Sequence, residues 1–482
     1  MKITGFLLLM TLGICVCKAQ STFSVIVKDT VYDHQIGDAL ELPSGNFIIV
    51  DTKNLGPSDY ASRLLKISPK GKILQDQDIS FQALSSCLVS VNTIAGNKIL
   101  LSGTVRTSGL SKLWLCVLDT SLNVIENKIL ALENYNYFIS KVRIADNNDI
   151  LCFGFVKDTT SYQDEFSFIY KFSPNLDSLK LKIFSDKWSW GLDLIERDDH
   201  NGYYFVVVGY SSAGGSSIIS LDTAFYVQRV IKMPDNVDNM CSIKYIDSTH
   251  LLITGEYSYD WPSIDKRDIG VLKYDTLFNL IRTKAFGKKD TEDFPGISKN
   301  IAISDRRHIY IGGTDNMAGY EFSVQDSWYI LNNIDTALNL NWQKYYGGDG
   351  FYTLYGIIPT KDSGCLMFGT LWDYHNTQKY TRYLSLIKVT KDGLLLSING
   401  EPGPLMHLAI VYPNPGSNMI NIQTQLKSSV FNLYDLTGRE VGSLGLIPGR
   451  NAIQVQNLKS GLYIYKISQN SDVIEFGKWL KE

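Results

Sequence analysis

The sequence predicts an all-β protein: a seven-bladed β-propeller, with six or eight blades as neighbouring counts, followed by a small C-terminal β-sandwich. Three observations predict it. A glycine-marked, β-rich segment recurs at a spacing of roughly 50 residues, within the range of propeller blades. Each copy is followed by an apolar strand that ends in a short polar turn. No long stretch carries the apolar period of a helix.

The first landmark occupies residues 45–52, 96–104, 148–154 and 202–209, and later copies end at Gly255, Thr314 and Thr370. The second is a turn at Ser68-Pro69, Asp119-Thr120, Ser173-Pro174, Asp222-Thr223, Asp275-Thr276, Asp335-Thr336 and Thr390-Lys391-Asp392-Gly393. Asp and Ser oxygens accept backbone N–H groups two residues on, so this series of aspartates closes turns and is not a catalytic set. Each repeat then holds four strands, and the continuous β-branched and aromatic runs suit strands covered on both faces. Residues 23–27 precede the first full repeat and read as an outermost strand without a blade. Pairing them with the last repeat would close the ring and leave no open edge.

Composition describes an ordinary folded chain. Of 482 residues, 44% are hydrophobic and 20% charged, and 46 basic residues against 49 acidic ones give a net charge of −3. Without clustered Lys and Arg there is no footprint for nucleic acid or for a membrane surface. Lys2, an apolar run over residues 3–16 and Ala19 have the layout of a secretory signal peptide over residues 1–19. Neither Cys15 nor Cys17 is preceded by a small residue, which favours ordinary cleavage over lipidation. No other stretch is apolar enough for a transmembrane segment. The remaining cysteines, Cys87, Cys116, Cys152, Cys241 and Cys365, are scattered in strand-like runs and read as small buried hydrophobes.

The passage Asn341-Trp342-Gln343-Lys344-Tyr345-Tyr346-Gly347-Gly348-Asp349, with the later Lys361-Asp362-Ser363-Gly364, resembles propeller repeats common in exported Bacteroidetes proteins. That resemblance speaks for fold, not ligand. Residues 20–400 are therefore read as the propeller, 401–410 as a linker carrying Pro402 and Pro404, and 411–482 as a separate module of short alternating strands.

The module opens with Tyr412-Pro413-Asn414-Pro415 and continues with Leu433-Tyr434-Asp435-Leu436-Thr437-Gly438-Arg439. It then carries Gly461-Leu462-Tyr463 and closes with Gly477-Lys478. Together and in this order, these segments resemble the type A C-terminal sorting domain of type IX secretion substrates. The resemblance implies recognition of Tyr412, Pro413, Asn414, Pro415, Tyr434, Asp435, Gly438, Arg439, Gly461, Tyr463, Gly477 and Lys478 by the type IX secretion machinery. It also implies passage through the periplasm and delivery to the medium or the cell surface.

Chemistry in the propeller is sparse in sequence. The six histidines make no His-x-x-x-His or Glu-x-x-His pair, and no nucleophile elbow or phosphate loop is present. No metal site and no cofactor is therefore expected. Asp290, Glu292 and Asp293 read as a solvated acidic loop. The loops between second and third strands and between blades are aromatic and acidic, with Trp188, Trp190, Tyr259, Trp261, Asp293, Asp349 and Trp372 as candidate ligand contacts. Flat rings stack on sugars or peptide side chains while carboxylates accept their hydrogens. The expected function is an exported, non-catalytic propeller that binds an extracellular glycan or peptide. The alternative is a secreted glycoside hydrolase or lyase with paired carboxylates in the central funnel.

Overall fold

The computed structural model describes residues 20–482 except 81, 83, 108, 133, 161–163, 185–187, 210–214, 261–265, 289, 318–321, 378, 396–408, 425 and 470–471. The expected leader, residues 1–19, and Trp261 lie outside the described residues. The chain divides into two compact units, 1–400 and 401–482.

In the first unit the described strands form seven antiparallel sheets. Sheet one runs Asp33–Glu41, Phe47–Gly56, Asp59–Ile67 and Ile73–Ile79. The first strands of sheets two to five are Ser86–Ile94, Tyr135–Ile144, Trp188–Glu196 and Val237–Asp247, each followed by three more in chain order. Sheet six departs from that regularity. Its first strand is split into Phe294–Pro295 and Ile301–Asp305, both paired to His308–Asp315. Sheet seven takes Phe351–Pro359, Cys365–Trp372 and Tyr383–Val389, and its fourth strand is Phe23–Val27 from the start of the chain. Phe23 pairs with Lys388 and Val27 with Leu384, so the two chain ends of the unit are joined as the sequence leads one to expect.

Apolar clusters fill every junction between consecutive sheets, including the one between seven and one. The second strands are buried almost throughout, as in Cys365–Trp372, because both faces are covered. The fourth strands, such as Val227–Lys232, are largely exposed. Cys116, Cys152 and Cys365 are buried, and burial pushes the Cys116 thiol up to about 12.

The polar turns behave as their chemistry dictates. Asp119, Asp222, Asp275 and Asp335, and the hydroxyls of Ser68, Ser173 and Thr390, accept backbone N–H groups two and four residues on at 2.8–3.3 Å. Three residues after each stands a position with positive φ. In five sheets it is Leu122, Leu176, Phe225, Phe278 or Leu338, whose buried side chain plugs the junction with the preceding sheet. A left-handed conformation costs a bulky residue of order 1 kcal/mol, and burying the side chain offsets it. In sheets one and seven the position is Gly71 or Gly393.

The second unit holds two antiparallel sheets over one core. Ala409–Tyr412, Met419–Thr424 and Gly449–Gln454 form one; Glu440–Leu446, Ser429–Tyr434, Gly461–Gln469 and Asp472–Lys481 form the other. Ile420, Ile422, Phe431, Leu433, Ile467 and Trp479 meet between them.

Candidate functional site

The sequence-predicted contacts scatter over sheets four to seven. Trp188 opens the first strand of sheet four, and Trp190 lies two residues on, 42% exposed. Tyr259 is exposed and donates its hydroxyl to Asp268 Oδ2 at 2.5 Å. Asp349 is exposed and accepts the Tyr352 hydroxyl at 2.7 Å. Two candidates are not surface groups. Trp372 packs against Phe294, Met317 and Phe351, its Nε1 donating to the Lys379 carbonyl at 2.9 Å, because the loop carrying Lys379 folds over it. Asp293 is fully buried, although the acidic run around it suggested a solvated loop.

Asp293 is drawn inward by its neighbours' backbone. It accepts N–H groups of Lys288 at 2.6 Å and Asn316 at 2.9 Å, and the Thr291 hydroxyl at 3.2 Å. Burial, opposed by those two N–H groups and reinforced by Asp315 and Asp268, pushes its carboxyl up to about 7. Gly287 makes the packing possible, since a Cβ there would fall 2.3 Å from Asp293 Oδ2 and 2.6 Å from Asp268 Oδ1. This is a buried acidic cluster, closed to a macromolecular ligand.

Trp190 belongs to a row of rings that the sequence did not group. Phe138 and Phe155, cross-strand partners in sheet three, stack at 4.6 Å with planes 6° apart. Trp190 leans on Phe155 at 5.9 Å, and its Nε1 donates to Glu165 Oε2 at 2.6 Å. Glu165 also pairs with Lys157 at 3.3 Å. Phe138 is 41% exposed, so two of the three rings offer large apolar faces to solvent beside a fixed carboxylate and ammonium. Strand pairing within sheet three and the packing of sheet four against it, neither visible in a linear reading, make the group.

The first strands of successive sheets contact one another and line the inside of the cycle. Two buried aspartates on them tie three sheets each. Asp38 of sheet one accepts Lys299 Nζ of sheet six at 2.6 Å and Val91 N–H of sheet two at 3.1 Å. Asp193 of sheet four accepts Arg143 of sheet three at 2.7 and 2.8 Å, Lys141 at 3.1 Å, and Ile243 N–H of sheet five at 3.2 Å. Burial alone would raise the Asp193 carboxyl, but Arg143 and Lys141 pull it below its ordinary value. Two cavities, of about 510 and about 460 Å³, open beside these strands and share Ile303. Lys244 lines the larger; burial, helped by Arg143 and Lys299, pushes its ammonium down to about 7.

In the second unit the opening and closing segments of the module are clamped together. Asn414 donates Nδ2 to the Lys478 carbonyl at 2.7 Å and accepts Leu480 N–H at 3.0 Å, bonding the last strand as a neighbouring backbone would. Trp479, fully buried, donates Nε1 to the Pro413 carbonyl at 2.7 Å. Gly477 stands opposite Tyr465, whose ring would lie 2.4 Å from any added Cβ. Asp435 accepts N–H groups of Thr437 and Arg439 at 3.0 and 3.1 Å, closing the turn in which Gly438 has φ +83°. Tyr463 donates its hydroxyl to the Lys459 carbonyl at 2.8 Å, while Tyr412 is exposed and Gly461 sits at φ +154°.

Residues 410–481 match the family described as the secretion system C-terminal sorting domain. No curated protein matches the chain. Similar solved structures include a Kuenenia stuttgartiensis hydrazine synthase (11% identity, TM-score 0.49, covering 75% of this chain and 97% of that one). A fungal alcohol oxidase of the AA5 family in complex with copper has 12% identity and a TM-score of 0.44, covering 95% and 98%. A protein of unknown function from Dyadobacter fermentans has 9% identity and a TM-score of 0.46, covering 76% and 97%. The sorting domain marks the chain for export as a secreted or cell-surface protein. Among the described residues no helix is long and apolar enough to cross a membrane.

Proposed function

We propose that this chain, which ends in a secretion sorting domain, is an exported binding protein whose cargo is a seven-bladed propeller. The ring is carried by residues 20–400, and the two sheets from Ala409 onward form a β-sandwich read by the type IX secretion machinery after passage through the periplasm. The ligand is an extracellular glycan, held on the Phe138–Phe155–Trp190 row. The observation that carries this reading is the row itself: parallel-stacked and tilted rings beside Glu165, whose outer faces are suited to stacking on sugar faces while the carboxylate accepts hydroxyl hydrogens. Support for binding over hydrolysis comes from Asp38 and Asp193. Both inner-strand carboxylates serve as counter-ions to Lys299, Lys141 and Arg143, which is a structural use.

Glycan-array binding of the purified chain tests the proposal, with Trp190→Ala and Phe138→Ala alongside it. Each variant should weaken binding by about tenfold, the equivalent of ~1.4 kcal/mol. Unchanged binding in both would refute the assignment of the row.

A further inference from the structure

We infer that Asp146, Glu196 and His200 form a binding site for a divalent transition-metal cation of the zinc class, at the rim of the larger cavity. Asp146 lies in the turn after the first strand of sheet three. Glu196 ends the first strand of sheet four, and His200 lies in the turn that follows. Among the described residues this is the trio of ligand-bearing side chains whose donor atoms all fall within 4.8 Å of one another. A linear search for metal motifs misses it because Asp146 and His200 come from successive repeats.

Both contacts of His200 are long for an ion pair and match the spacing of two ligands on one ion. His200 Nδ1 stands 3.4 Å from Asp146 Oδ2 and 3.4 Å from Glu196 Oε1. Ligands about 2.0–2.2 Å from a tetrahedral zinc ion lie about 3.3–3.5 Å from each other. A charge-assisted hydrogen bond would close to about 2.7–2.9 Å. The same chain supplies the contrast: two other turn histidines do close on their aspartates, His308 on Asp305 at 2.8 Å and His250 on Asp247 at 2.9 Å. At His200 two carboxylates share one ring nitrogen at equal, longer distance.

The scaffold holds the donors apart. Asp146 N–H donates to Glu196 Oε2 at 3.0 Å, which leaves Oε1 as the oxygen nearest His200. His200 sits at φ +54° with its N–H bonded to the Arg197 carbonyl at 2.9 Å. Imidazole nitrogen with two carboxylate oxygens suits zinc and its neighbours better than calcium, which takes oxygen ligands alone. Asp146 and Glu196 also line the cavity that holds Arg143 and Lys244, so a fourth position on the ion is within reach of an anionic group entering there.

The test is calorimetric titration of the chelator-stripped, tag-free full chain with zinc chloride, and separately with calcium chloride. One zinc per chain is expected. His200→Ala and Glu196→Gln should each lower zinc affinity by at least about tenfold. His308→Ala should leave it unchanged, and melting temperatures without zinc should match the wild type, since His200 is 63% exposed. Absence of saturable binding below about 1 mM zinc, or equal affinity in His200→Ala, would overturn the site.

Discussion

Phe23 occupies the place that a side chain on Gly71 would fill: a Cβ built there would lie 2.7 Å from the Phe23 Cβ. In sheets two to six the equivalent position carries a leucine or phenylalanine that plugs the junction with the preceding sheet. At the junction of sheets seven and one the plug comes from the closing strand, so the turn residue must be small. Trp342 does the same for Gly393, with its ring 2.8 Å from the Cβ that glycine lacks.

Phe23→Ala should therefore destabilise the first unit by about 3–5 kcal/mol, the range for removing a buried phenylalanine. Gly71→Leu alone should also destabilise, through its clash with Phe23. Combined with Phe23→Ala it should restore part of the loss, because the introduced leucine side chain would then enter the vacated space. Urea denaturation of the four proteins measures the coupling, and strict additivity would refute the plug relationship.

Ring integrity also rests on the charges inside. Lys299→Met leaves Asp38 buried with only hydrogen bonds from Ala39, Ser90 and Val91. The expected cost is about 2–4 kcal/mol, softened by those three donors from the value for a wholly unpaired buried charge. Adding Asp38→Asn should recover some of it, as thermal denaturation would show.

The contribution of Asp293 to stability should fall as pH rises from about 4 to about 7. Its carboxyl titrates near the ordinary 3.8 when unfolded and at about 7 in the fold. Between those values the folded chain holds the extra proton, so the group's contribution is present at low pH and lost as pH climbs to about 7. His34, buried between Asp51 and Asp29 and raised by them against the effect of burial, acts in the same direction. Asp293→Asn should flatten the decline between about pH 4 and 7 by on the order of a few kcal/mol. A slope equal to that of the wild type would count against the buried-acid account.

In the sorting domain, Asn414→Ala removes the two side-chain bonds by which Asn414 holds the last strand, a loss of about 1–3 kcal/mol. Gly477→Val places a branched side chain against the Tyr465 ring. Both variants should lower the melting temperature and reduce the protein reaching the medium or cell surface of the native host. Deletion from Tyr412 onward should abolish that delivery. Undiminished export of the deletion would refute a sorting role for the domain.

Much of the fold was legible because its signals are local. Asp119 and its equivalents bond their own turn, and the runs that form the buried second strands are contiguous in sequence. The row of rings was not, since Phe138, Phe155 and Glu165 come from three strands of one sheet and meet Trp190 only through the packing of the next sheet. Asp293 was misread for a related reason. Its neighbour Asp290 is 95% exposed, and nothing in the run Asp290, Glu292, Asp293 tells which carboxylate turns toward Lys288 and Asn316 N–H groups.

By itself the sequence determined the all-β class, the repeat, the turn chemistry and the sorting tail, because each is built from short motifs whose residues stand a few positions apart. Tertiary structure alone decided which charges are buried and paired, that Phe23 completes the junction at Gly71, and that Asp146 meets His200. Those relationships depend on distances set by packing one repeat against the next, and packing is not written in any single repeat.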